Sequence, residues 1–470
     1  MNEVSALAVP TDVADPAATF ADFVAAFDLA SVPPAVIARA KLSILDALGI
    51  GLASSNYEFA KVMADALVEL GGVGEFPVIG SSLRLAQRDA AHLNGTLIHG
   101  LDFDDTHSES VVHTSASTVP TMLIAGLATR SSGRAAMSAF IIGSECASRI
   151  GAAARGGFHD QGFHPTGIVG AFGSALAAGF LYGLNHDQLL DAQGIVLSKA
   201  AGSLQFLDDG AWTKRNHPGW ASVCGQTAVV MAKHGFFGPR APYLGRFGLY
   251  AMHTRQGNEI KSHQLTDGLG ELWEMRNIAF KPYPACHLTH AFADAALALQ
   301  HEYQLKIDEI DRIVAYVHDR EIPVICEPVA NKIRPRSAYD AQFSVHYVIA
   351  ATLVHGRFGL AELTDECLAD PAILNLCART SYQSDPDSAY PDYYSGAVDI
   401  YTNDGQCHHR REQMHRGSAE NPMSESDIKD KFFDNATRTI SREQADDVMR
   451  HVLELEQQSD LIALSIALTK

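Results

Sequence analysis

Fifteen positions, His99 to His113, hold four carboxylates and three imidazoles, and apolar sequence flanks them on both sides. On the approach side Ala90, Leu93, Asn94, Leu97, Ile98 and Leu101 recur at three- and four-residue spacing, which makes one buried helical stripe. On the exit side Thr121-Met-Leu-Ile-Ala-Gly-Leu-Ala128 reads as a second buried helix, with Pro120 placed in its first turn. A charged segment delivered between two buried helices ends up inside the protein. Unpaired charge there costs on the order of several kcal/mol, so these side chains must be paired with one another or used for chemistry.

A core able to enclose such a segment is within reach of 470 residues, of which 47% are hydrophobic and 19% charged. That length suits two or more domains at roughly 100 to 200 residues each. A formal charge of -19 argues against nucleic acid or an anionic membrane as partner, since both select basic faces. The seven cysteines are scattered without a C-x-x-C pair, the pattern of reduced thiols in a cytoplasm. Residues 1–15 read as a frayed leader lacking the charged-then-apolar pattern of a signal peptide, so a cytoplasmic location is expected. The charge-free run Thr166 to Leu184 is long enough to span a bilayer. Its small residues Gly170, Ser174, Ala177 and Ala178 share one face and no basic flank marks a membrane end, so a closely packed central helix is the expectation.

Along the chain, Thr19 to Phe27 is an amphipathic helix and Ala35 to Gly51 another, entered through Pro33-Pro34. Helical periodicity continues to about residue 275. Ile310 to His318 and Gly396 to Thr402 then alternate as strands, the second leading through the turn signal Asn403-Asp-Gly405. Helices resume behind Ser424 and Ser441, which have acidic residues in the turns that follow. The fold class expected is mainly α with an α+β part. Residues 1–275 and 406–470 would form a large multihelical domain, and 276–405 a smaller α+β lid over the acidic segment.

Four further clusters carry chemistry. Gly162-Phe-His164-Pro-Thr-Gly167 sets a histidine before a glycine-rich helix start, where an anion is favoured or where the histidine simply caps the helix. Thr213-Lys214-Arg-Asn-His217 reads as a cationic loop ahead of a small-residue helix. Lys281-Pro-Tyr-Pro-Ala-Cys-His287-Leu-Thr-His290 and Arg334-Pro-Arg-Ser add lysine, histidine and arginine. Each alone reads equally well as a polar loop. Together they would form a cationic pocket for a small polycarboxylate, held by charge-assisted hydrogen bonds, with aspartate beside histidine to move a proton. Two rival readings use the same residues. Asp102-Phe-Asp104-Asp105 matches the D-x-D-D acid of terpene cyclases, but three tryptophans without aromatic repeats do not build a carbocation cavity. Asp102, Asp104, Asp105, His107 and His113 could instead ligate a divalent metal.

Asn94-Gly-Thr-Leu-Ile-His99-Gly-Leu-Asp-Phe-Asp-Asp-Thr106, His113-Thr-Ser, Gly162-Phe-His-Pro-Thr-Gly, Thr213-Lys and Lys281-Pro-Tyr-Pro-Ala-Cys with His290 together resemble the MmgE/PrpD family over essentially the whole chain. That family includes 2-methylcitrate dehydratases, cis-aconitate decarboxylases and iminodisuccinate epimerases. The resemblance implies a helical body with an α+β lid, a homodimer, and catalysis without metal or organic cofactor. It puts Asp102, His113, His164 and Lys214 in catalytic places and Thr106, Lys281, Arg334 and either His287 or His290 in substrate-binding ones. Arg334 stands where the decarboxylases carry tyrosine, and the loop from Thr106 to His113 lacks the tryptophan typical of characterised members. The activity implied first is a dehydratase of the 2-methylcitrate type. A cis-aconitate-type decarboxylase or an iminodisuccinate-type epimerase comes next, and a non-catalytic carboxylate-binding protein is the reading from another class. Loss of His164 or Lys214 is expected to lower turnover with little effect on stability, as for groups carried on loops.

Overall fold

The structure, a computed structural model, describes residues 15–390 and 393–470; the leader expected at the N-terminus lies, up to residue 14, outside the described residues. The chain forms two compact units: residues up to Ile278 with Ser424–Lys470, and Ala279–Met423. The fold is mainly α, with a smaller α+β part.

The first unit is built from α1 (Pro16–Ala26), α2 (Pro34–Ser54), α3 (Gln87–His99), α4 (Thr114–Thr129), α5 (Gly133–Ala153), α6 (Pro165–Leu181), α7 (Thr213–Lys233), α8 (Glu425–Ala436) and α9 (Arg442–Leu453), with shorter elements between. Local chemistry starts many of them. The Asp15 carboxylate accepts from the Ala17 amide ahead of Pro16, and Ser132 caps α5 through the Ala135 amide. Ser424 and Asp427 form a reciprocal capping box on α8, and Ser441 caps α9.

The charge-free α6 lies at the centre, packed against α4, α5 and α7. Its closeness to α5 depends on glycine, since a Cβ on Gly173 would stand 2.5 Å from the Gly143 carbonyl oxygen. No helix among the described residues is long and apolar enough to cross a membrane. Its neighbour α4 differs from expectation. It begins at Thr114, so Pro120 lies in the helix interior rather than in the first turn. The first two turns are hidden in the sequence because they are small hydroxyl residues. Thr118 folds its Oγ1 back onto the Thr114 carbonyl at 2.6 Å, a bond that lets a polar run stay buried and helical.

The second unit holds a four-stranded mixed sheet in the order β2-β1-β3-β4, from β1 (Ile310–Val317), β2 (Thr380–Ser384), β3 (Gly396–Thr402) and β4 (Cys407–Glu412). β1 runs parallel to β2 and antiparallel to β3, and β3 pairs antiparallel with β4. The turn between β3 and β4 uses Gly405 at φ 85°, as the Asn-Asp-Gly signal predicts. The helical return therefore does not begin at 406. Residues 407–412 complete the sheet, Arg411 fastens it through two bonds of 2.7 and 2.9 Å to the Asp385 carboxylate, and the chain rejoins the first unit at Ser424. No disulfide joins the cysteines among the described residues.

Candidate active site

Helices α3 and α7 meet backbone to backbone: a Cβ on Gly95 would lie 2.5 Å from the Gly219 Cα. That approach brings the last residue of α3, His99, beside the first turns of α7, which carry Lys214 and His217 on one face at i and i+3. The acidic segment crosses between α3 and α4. His113 stands at the N-cap of α4 and His164 at the N-cap of α6, so both imidazoles are set by helix starts.

Each carboxylate of the segment has a different partner. Lys214 Nζ donates to Asp102 Oδ1 at 2.6 Å, with both side chains buried. Asp102 is held in left-handed backbone, φ 51°, a conformation aspartate tolerates better than most residues. Asp104 Oδ2 lies 2.8 Å from His99 Nδ1 and 3.6 Å from His113 Nδ1. The Asp105 carboxylate accepts from the Ser115 amide at 3.2 Å and from the Ser115 hydroxyl. Burial outweighs those bonds and pushes the Asp105 carboxyl up to about 7. Below the segment, Lys431 of α8 donates to the Phe103 carbonyl and to Asp46 Oδ2, both at 2.9 Å.

The imidazoles cluster tightly. Ring centroids of His99 and His113 are 4.8 Å apart, His99 and His164 5.5 Å, and His164 and His217 5.2 Å. His113 Nδ1 donates to the Asp105 carbonyl at 2.8 Å and lies 3.2 Å from Thr106 Oγ1. His164 and His217 face each other through their Nδ1 atoms at 3.0 Å. Burial first, then the neighbouring cationic forms of His217, His99, Lys214 and His113, hold His164 well below the usual imidazole range. Burial, with His99 and Lys214, lowers His217 to about 4. His164 and His217 are therefore neutral bases at neutral pH, beside one buried lysine–aspartate pair.

Of the residues singled out in the sequence, Asp102, Thr106, His113, His164 and Lys214 come together here. Lys214 lies within α7 rather than in a loop, because the helix begins at Thr213 and accommodates Pro218. Since its ammonium is bonded to a buried carboxylate, its loss is now expected to cost stability as well, unlike that of a group carried on a loop. The metal ligand set suggested by the sequence also fails to assemble. His107 bonds Ser110 Oγ and Glu274 Oε2, each at 2.9 Å, while Asp102 and Asp105 are engaged by Lys214 and Ser115. Among the described residues, the group whose ring nitrogens approach within 4.8 Å of one another is His99, His113 and His164.

Lys281, His287, His290 and Arg334 belong to the second unit. Lys281 is buried, Arg334 is exposed, and His290 Nε2 lies 3.2 Å from the Ala285 carbonyl. His287 packs 4.7 Å from His290 and 4.3 Å from His415, centroid to centroid, with Tyr394 alongside.

The sequence reading offered Asp104 only as a metal-ligand or cyclase-acid candidate and His217 only within a cationic loop, gave His99 no role, and singled out neither His415 nor Tyr394 beside His287. His99 and Asp104 lay inside the quoted motif, but the five-residue separation that closes into a hydrogen bond gives no periodic signal. The place of His217 beside Lys214 could have been found, because the two are one helical turn apart once the helix start is placed at Thr213.

Comparison with known proteins matches the MmgE/PrpD N-terminal domain over residues 18–261 and the MmgE/PrpD C-terminal domain over 283–455. The chain is 27% identical to the cis-aconitate decarboxylase-like protein oryM of Aspergillus oryzae, covering 92% of this chain and 93% of that one. It is 26% identical to the cis-aconitate decarboxylase of Mus musculus, over 95% and 92% of the two chains. A mitochondrial 2-methylcitrate dehydratase of Yarrowia lipolytica is 25% identical over 78% of this chain and 73% of its own.

Proposed function

Because the chain belongs to the MmgE/PrpD family, we propose that it is a lyase that takes a proton from the carbon beside a carboxylate of a small di- or tricarboxylic acid, using no metal or organic cofactor. The observation that carries this reading is the buried Lys214–Asp102 pair beside the imidazoles of His99, His113 and His164. Lys214 and Thr106 anchor the substrate carboxylate, and the ammonium stabilises the negative charge that builds on it as the C–H bond breaks. A preorganised donor of this kind is worth about 3 to 4 kcal/mol. An imidazole, that of His164 or His113, takes the proton. In dehydration the neighbouring C–O bond then breaks, and the departing hydroxide leaves as water with the proton that the imidazole took from carbon.

Dehydration of a 2-methylcitrate-type hydroxy acid is the first reading. Loss of CO₂ from a cis-aconitate-type acid is the second reading, favoured by the whole-chain relatives that bear that name. We propose further that the enzyme works as a homodimer. Incubation in D₂O with methylcitrate, citrate, cis-aconitate, citraconate and iminodisuccinate, followed by NMR, decides among the branches. Deuterium at a carbon next to a carboxylate is the expected result. No exchange, no water loss and no CO₂ loss from any of them would sink the reading.

A further inference from the structure

No hydrogen bond described above joins His217 to the acidic segment or to Lys214, yet it has a defined relation to one imidazole of the site. Its Nδ1 stands 3.0 Å from His164 Nδ1. Two nitrogens at that distance share one hydrogen, so one ring donates and the other accepts. Backbone packing enforces the approach. His164 is pinned by its own amide to the Gly202 carbonyl at 2.9 Å. A Cβ on Gly202 would lie 3.4 Å from His217 Nδ1, and one on Gly167 would meet the Ala201 carbonyl oxygen at 2.4 Å and His217 Cβ at 3.1 Å. Gly167 thus lets the chain close around this pair of rings, whereas a side chain at Gly202 would make only ordinary contacts. The other groups facing His164 are His99 at the end of α3, His113 at the start of α4, Lys214 on α7 and the ring of Phe206.

We propose that His217 is a positioning residue that sets the tautomer of His164 and relays its proton. The inference rests on the reading that His164 exchanges a proton with substrate. When His164 Nδ1–H donates to His217 Nδ1, the His164 lone pair is at Nε2 and the ring is a base. As the substrate C–H bond breaks, its proton joins His164 Nε2 and the Nδ1 proton crosses to His217 Nδ1. His164 then remains neutral with a hydrogen on Nε2, ready to donate it back. His217 passes its other proton, from Nε2, outward, and at 9% exposure against 4% for His164 it is the ring nearer solvent. No charge accumulates in the buried cluster during the cycle, which matters because a second cation beside Lys214 is costly there.

The test compares His217→Ala, His217→Gln and His164→Ala in the full-length protein, with whichever substrate the D₂O experiment identifies. Glutamine keeps a hydrogen-bonding amide against His164 but cannot pass a proton, so it decides the question even if the alanine variant folds poorly. Expected are falls in kcat of roughly 10- to 100-fold for both His217 variants, the usual cost of losing an outer partner. KM should stay within about threefold, the pH profile should change, and added imidazole should restore His217→Ala. The inference is overturned by a His217→Gln enzyme as fast as the parent with the parent's pH profile. It is equally overturned if imidazole rescues nothing and the pH profile stays fixed. His164→Ala separates the two levels: turnover at the parent's rate removes the proposed function itself, whereas a slow His164→Ala beside fast His217 variants removes only the relay.

Discussion

Asp104 Oδ2 lies 2.8 Å from His99 Nδ1, and neither side chain has any exposure to solvent. The carboxylate fixes the hydrogen of that ring on Nδ1 and turns its lone pair to Nε2, a buried atom without a hydrogen-bond partner among the described residues. An imidazole so prepared is a base or a substrate contact. Asp104→Asn keeps the shape and removes the orienting charge. It should lower kcat at least roughly 10²-fold, as loss of one acid-base element does. An Asp104→Asn enzyme with unchanged steady-state kinetics would falsify a role for this dyad in turnover.

Lys214 is expected to serve stability as well as catalysis. Removing one partner of a buried ion pair leaves the other charge stranded, at a cost of roughly 3 to 5 kcal/mol. Lys214→Met should therefore lower the urea midpoint markedly, and adding Asp102→Asn should recover much of the loss while leaving the enzyme inactive. Additive effects in that cycle would show that the 2.6 Å contact does not couple the two residues energetically.

Acid stability should report on His217. Its folded-state value, lowered by burial to about 4, lies below the ordinary imidazole value of 6.5, so the unfolded chain binds the proton more readily. The stabilisation from keeping the ring neutral is present above pH about 6.5 and is lost as pH falls toward about 4. Asp105 acts with the opposite sign over much of this window. Raised to about 7, its contribution is complete only below the unfolded carboxyl value and fades as pH climbs through 7. Comparing parent with His217→Gln cancels the Asp105 effect. The melting temperature of the parent should fall more steeply between pH 6.5 and 4, and parallel curves would count against this assignment.

Activity should survive dialysis against EDTA. The nitrogens of His99, His113 and His164 stand up to 4.8 Å apart. In a tetrahedral zinc site with Zn–N near 2.0 to 2.1 Å they would be about 3.4 Å apart. Loss of turnover on chelation, restored by one equivalent of a divalent ion, would replace the acid-base reading by a metal-assisted one.

Light scattering at micromolar concentration should give about twice the 50.6 kDa chain mass, in keeping with the proposed homodimer. A value near the single-chain mass at that concentration would remove the dimer from the proposal.

Much of this architecture was legible in the sequence. The alternation at Ile310 and Gly396 marked two strands of the sheet, the serines at 424 and 441 marked helix starts, and the charge-free run became the central helix. The site was readable in its residue types, since carboxylates and imidazoles between apolar helices must be paired or used. Partner choice was not readable. Whether Asp102 meets Lys214 or a metal is decided by the Gly95–Gly219 approach of two helices more than a hundred residues apart in sequence, and no local pattern encodes that distance. The same limit hid the role of Lys431, which carries no motif of its own.

That lysine bears on the order in which the enzyme can be made. The carbonyl it holds, that of Phe103, precedes it by 328 residues, and its other acceptor, Asp46, precedes it by 385. On the ribosome the acidic segment emerges 328 residues ahead of its tether. A nascent chain can therefore build its helices early, but it cannot fasten this floor of the site until Lys431 has followed.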